Sequence, residues 1–91
     1  MKTILYFSAE WCGPCHKFKP FFEAQQKAYE SISFNVIDCE LNEHLADKYD
    51  VQKLPTIVFL LDGVENTRVL GVNEQKLVDA LKDFDSLPST I

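Results

Sequence analysis

Cys12 and Cys15 stand three positions apart in the stretch Glu10-Trp11-Cys12-Gly13-Pro14-Cys15-His16-Lys17-Phe18-Lys19-Pro20. Two thiols at this spacing can pass electrons as a dithiol–disulfide pair, ligate a metal, or pack as inert apolar side chains. The two residues between them let the sulfurs meet at bonding distance across one helical turn. A zinc site could be assembled from Cys12, Cys15, Cys39 and either His16 or His44, which is enough soft ligands. Structural zinc sites, however, use two tight-turn ligand pairs, and His16 follows Cys15 directly on a helix. A Gly-Pro setting in a loop is a poor place for an inert core cysteine. The redox reading is therefore the expectation, with no metal.

The elements around the pair decide what it can do. Residues 2–8 form a short, nearly continuous apolar run of the kind that makes a strand buried on both faces. Residues 13–31 put Phe18, Phe22 and Tyr29 on one helical stripe, flanked by Phe21, Ala24 and Ala28, so an amphipathic helix is predicted. Pro20 removes a backbone donor inside it, and a kink is expected there. A second strand is predicted over 32–38, then a short helix through about Tyr49 with Asn42 as its cap. Thr56 to Leu61 is apolar and β-branched, the composition of a central strand. Asp62-Gly63 is a hairpin signal, and 65–70 suits an edge strand. Asn73 caps a last helix with Leu77, Leu81 and Phe84 on one face.

The order is β-α-β-α-β-β-α. The first two strands, joined through a helix, should be parallel with a right-handed crossover, and the last two should form a hairpin. This is an α/β sandwich, a mixed four-stranded sheet with helices on both faces. Residues 1–85 are expected to be a single domain and 86–91 a loose tail.

On this map Cys12 falls in the loop after the first strand and Cys15 in the first turn of the long helix. A helix N-terminus carries unpaired N–H groups and a partial positive charge, which favours a thiolate at Cys12. The thiolate is the nucleophile, and Cys15, more enclosed, is the natural resolving thiol. Pro14 near the helix start sacrifices no hydrogen bond and stiffens the loop. Trp11 supplies an apolar flank for a partner. Lys17, Lys19 and His44 read as solvated side chains, and Cys39 as a partly buried, inert thiol. A protonated His16, four residues after Cys12, could add to the stabilisation of its thiolate, although a side chain there more often points to solvent.

The whole chain narrows the classes. Its 91 residues make one small domain, 46% hydrophobic and 25% charged, with a net charge of −5. That charge, with Lys17 and Lys19 as the basic cluster, speaks against nucleic-acid binding. The apolar stretch Ile4 to Phe7 is too short for a secretory signal or a membrane span. A cytoplasmic protein is expected. Three cysteines, an odd count, argue against a structural disulfide framework.

Ala9-Glu10-Trp11-Cys12-Gly13-Pro14-Cys15, Lys19-Pro20, Leu54-Pro55-Thr56, Asp62-Gly63 and Gly71 together resemble the thioredoxins, over nearly the whole chain. The resemblance implies the thioredoxin-like three-layer sandwich and a thiol–disulfide oxidoreductase that reduces protein disulfides. It implies Cys12 as the attacking thiol, Cys15 as the resolving thiol, and Trp11, Gly13 and Pro14 as the active-site loop. It further implies that Pro55 is a cis-proline offering neighbouring backbone to the substrate. Leu54 and Trp11 would join it there, and Gly71 would leave room for substrate. No cofactor is implied on the chain. The implied partners are disulfide-containing proteins and an NADPH-dependent flavoprotein reductase. A monomer is expected, with strand 32–38 as a place where a second copy could pair.

Three departures from the family are visible. The usual first strand and helix are missing, so strand 32–38 should become an edge, blunted by Ser33, Asn35 and Asp38. The buried Asp six residues before the first cysteine is replaced by Tyr6, and its companion lysine by Val36. Without that base, the second exchange step should be slow. Ser8 stands where a second tryptophan is common, so Trp11 is the only tryptophan. A rival reading from another class is a binding subunit that uses the same surface without catalysis.

Overall fold

The computed structural model describes residues 1–89. Strand β1 (Lys2–Ser8) leads through a short loop into helix α1 (Gly13–Ala24). Strand β2 (Ile32–Asp38), helix α2 (Glu43–Lys48), strand β3 (Thr56–Leu61), strand β4 (Val64–Leu70) and helix α3 (Glu74–Asp85) follow. The sheet order is β2-β1-β3-β4. β1 pairs parallel with β2 and antiparallel with β3, and β3 pairs antiparallel with β4. The predicted mixed sheet and element order are those observed.

Alternation along β1 and β3 divides the core in two. Ile4, Tyr6, Ile57 and Phe59 point to one face, where Phe18 and Phe22 of α1 and Leu77, Leu81 and Phe84 of α3 close over them. Leu5, Phe7, Val58 and Leu60 point to the other, covered by Leu45, Ala46, Tyr49 and Val51 from α2 and the segment after it. Both central strands are thus apolar on both faces, which is why they read as continuous apolar runs rather than alternating ones. Asp62 (φ 51°) and Gly63 (φ 86°) form the hairpin turn with both residues in the left-handed region, the geometry that suits an Asp-Gly pair.

Several local expectations are corrected. The long helix does not run to residue 31: α1 continues through Pro20 but ends at Ala24 and tightens into a 3-10 turn, Gln25–Ala28. Ala24 and Ala28 are exposed, and Tyr29 packs on the core from outside the helix. The apolar stripe is present, but two alanines bury too little surface to hold the last turns down. Asn42 sits at the cap position of α2 without capping it by its side chain; its Nδ2 donates to the Asp38 carbonyl at 3.0 Å instead. Asn73 does cap α3, accepting from the Lys76 N–H at 2.9 Å. Asp85 belongs to α3, and Leu87 beyond it packs against the core. The last two residues of the expected tail, 90 and 91, lie outside the described residues.

Candidate active site

The dithiol sits at the end of the sheet where β1 runs out. Ser8 closes β1, and the Cys12 N–H donates to the Ala9 carbonyl at 3.0 Å, turning the chain toward α1. Cys12 occupies the cap position of α1 with extended backbone (φ −86°, ψ 98°). Its sulfur takes the place of the oxygen that usually caps a helix: Sγ accepts from the Cys15 N–H at 3.3 Å. The Cys12 carbonyl accepts from the His16 N–H at 3.3 Å, so both sides of the residue are fixed by the first turn. Cys12 and Cys15 are joined by a disulfide, with Cα atoms 5.3 Å apart. Cys12 is 6% exposed and Cys15 is fully buried. The order of accessibility expected of an attacking and a resolving thiol is therefore present. Pro14 lies in the first helical turn, where its missing N–H orphans nothing.

Trp11 stands out into solvent beside the pair, 72% exposed. Gly13 has open space where a side chain would go, so neither crowding nor a left-handed backbone demands glycine there. Gly71 is different: its φ of 75° is a conformation that side chains resist. The Leu54–Pro55 bond is cis. Antiparallel pairing sets Thr56 opposite Phe7, so Pro55 falls next to the end of β1 from which the Cys12 loop departs. The Gly71 N–H donates to the Pro55 carbonyl at 2.8 Å, and Leu54 packs against the core cluster that holds both cysteines. The residues singled out by the sequence thus gather at one end of the sheet.

Behind the dithiol is Tyr6. It is fully buried, its ring stacks obliquely on Phe22 with centroids 4.6 Å apart, and its hydroxyl donates to the Cys15 carbonyl at 2.7 Å. Burial, with a smaller contribution from the nearby Glu23 charge, pushes its phenol up to about 12. At neutral pH Tyr6 is a proton-bearing donor and cannot serve as a base. No carboxylate is buried among the described residues. The departure at Tyr6 is thereby given a structural role: the hydroxyl ties the central strand to the helix that carries Cys15.

His16 is exposed, as expected, but it is not without a contact. Its ring Nε2 lies 2.8 Å from the Glu10 carbonyl and bridges the helix to the loop before Trp11. Spacing alone gives no signal for that contact, because the loop path fixes it. His44 is exposed, as expected. Cys39 is a free, half-buried thiol packed with Leu5 and Phe7 on the α2 face, across the sheet from Cys15. Burial and, secondarily, Asp38 push its thiol above the ordinary range. The ligand set that a zinc site would need is therefore not brought together. No helix of the described residues is long and apolar enough to cross a membrane.

Known proteins agree with this geometry. Residues 1–83 match the Thioredoxin family. A thioredoxin of Borreliella burgdorferi is 39% identical over 90% of this chain and 72% of its own length. An H-type thioredoxin of Oryza sativa subsp. indica is 33% identical over 87% of this chain, which spans 65% of that protein. The X-ray structure of Fasciola hepatica thioredoxin superposes with a TM-score of 0.88 at 38% identity, covering 91% of this chain and 80% of that one. The thioredoxin relatives and the Cys12–Cys15 pair together support a protein-disulfide oxidoreductase. The chain belongs to the thioredoxin family.

Proposed function

We propose that the protein works as a reductant of protein disulfides, with Cys12 attacking and Cys15 resolving. The Cys12 thiolate attacks one sulfur of a substrate disulfide, forming a mixed disulfide and expelling the other substrate sulfur as a thiolate. Cys15 then loses its proton and attacks the Cys12 sulfur. The second substrate thiolate leaves, and the Cys12–Cys15 disulfide remains. Two electrons have passed to the substrate, and a reductase of the NADPH–flavin type would return them. The chain itself needs no bound cofactor in this cycle.

The observation that carries the reading is the Cys15 N–H directed at the Cys12 sulfur at 3.3 Å, at the positive end of α1. In the reduced protein the same N–H and the helix dipole stabilise a Cys12 thiolate. Trp11, Leu54, Pro55 and Gly71 would hold the extended substrate segment through apolar contact and exposed backbone. We place the protein in a reducing compartment, the cytoplasm, consistent with the free Cys39 thiol. We take it to act as a monomer, with β2 forming one edge of the sheet.

The test is the reduction potential of the Cys12–Cys15 pair, measured by Trp11 fluorescence in graded thiol buffers with Cys39→Ser. A potential of about −270 mV, typical of thioredoxins, is the expectation for a reductant. A value between about −180 and −120 mV would reverse the direction to isomerase or oxidant. No insulin reduction by the unaltered chain in the presence of dithiothreitol would favour the non-catalytic binding reading.

A further inference from the structure

We propose that Lys53 selects among substrates by pairing with an acidic side chain in the disulfide-bearing segment that lies against Pro55 and Gly71. The proposal rests on the reductase reading of the Cys12–Cys15 pair and adds a substrate class to it. Gly71 donates its N–H to the Pro55 carbonyl at 2.8 Å and carries no side chain, so the backbone there is bare. Lys53 lies folded across that spot. Its Cε is 3.6 Å and its Nζ 3.9 Å from the point a Gly71 Cβ would occupy. The Lys53 carbonyl accepts the hydroxyl of Thr56, a fully buried residue, so the backbone carrying the lysine is fixed to the start of β3.

The charge at that position is uncompensated. Arg68 on β4 is held by Glu65 through two short hydrogen bonds of 2.6 and 2.7 Å. Lys19 shares a cleft with Glu10 and Asp38. Lys53 has no ion-pair partner among the described residues. The residues on either side of Gly71 are apolar and exposed, Leu70 at 51% and Val72 at 53%. The chain as a whole carries −5, which repels an acidic segment at long range. A single local cation beside an apolar platform therefore sets the preference: a carboxylate next to the attacked cysteine finds a partner, and a basic side chain in the same place meets a like charge.

The experiment uses two disulfide-bonded peptides that differ only in Glu or Lys beside the attacked cysteine, with dithiothreitol to regenerate the protein. kcat/KM is measured for the unaltered chain, Lys53→Gln and Lys53→Glu. The unaltered protein should favour the Glu peptide about two- to fivefold, the range of an exposed ion pair. Lys53→Gln should bring the ratio toward one and Lys53→Glu should invert it. The change should sit in KM, with the Cys12–Cys15 potential unmoved, because the lysine touches substrate and not sulfur. A Glu-to-Lys ratio identical in all three proteins, with both peptides turned over, overturns the proposal. If the unaltered chain reduces neither peptide, the reductase reading fails first and the selection falls with it.

Discussion

The two faces of the sheet carry similar apolar strand residues and very different loads. One face lies under two twelve-residue helices and holds the dithiol; the other is covered by the six-residue α2 and the segment after it. Each face also has a cysteine at the C-terminal end of the sheet's parallel pair. Cys15 is fully buried, yet its partner sulfur receives an N–H at a helix start. Cys39 is half-buried, and burial first and the Asp38 carboxylate second push its thiol up. Depth of burial by itself therefore does not separate the two cysteines. The sign of the local field also differs between them: positive at a helix N-terminus, negative beside a carboxylate.

The most damaging way to probe this contrast is to remove one sulfur from each face. Cys12→Ser should reduce insulin-disulfide turnover to the level of the reductant alone, while Cys39→Ser should leave it unchanged. Equal losses would mean that the two thiols act together. Packing gives the next effect. Phe22 is fully buried between Tyr6 and Phe34, and Phe22→Ala should cost about 3–5 kcal/mol. Leu45→Ala on the half-buried α2 face should cost about 1 kcal/mol. Urea melts of both variants measure the difference, and similar costs would show the thin face to be as tightly packed as the thick one.

Tyr6 gives the subtlest probe. Tyr6→Phe keeps the ring and loses the hydrogen bond to Cys15, a cost of about 0.5–1.5 kcal/mol. Its phenol is raised in the folded state, so its contribution is whole below the unfolded value near pH 10 and is lost as the pH rises through the folded value of about 12. The alkaline loss of stability should accordingly be shallower in Tyr6→Phe, read by denaturant melts across that window. Tyr6→Asp restores a carboxylate behind Cys15. It should destabilise the core but speed release of the mixed disulfide, as seen in stopped-flow traces; no acceleration would show that a missing base does not limit the second step.

Much of the fold is legible along the chain. Continuous apolar runs name the central strands, Asp62-Gly63 the hairpin and Asn73 a helix cap, because those signals are local and each is carried by a few adjacent residues. The end of α1 is not legible in the same way, because a helix stripe shows periodicity without showing how much surface each residue buries. Asn42 misleads for another reason: its amide has a competing acceptor, the Asp38 carbonyl, that only the turn brings within reach.

The site divides in the same way. Cys12-Gly13-Pro14-Cys15 after a strand and at a helix start determined the chemistry by itself, since the spacing, the helix dipole and the thiol are all local properties. Tertiary structure decided the rest. It set the Tyr6 hydroxyl on Cys15, the His16 ring on Glu10, and Lys53 across Gly71. Each of these joins segments whose separation is fixed by strand register and loop path. No pattern along the chain can state a distance that only the assembled sheet defines.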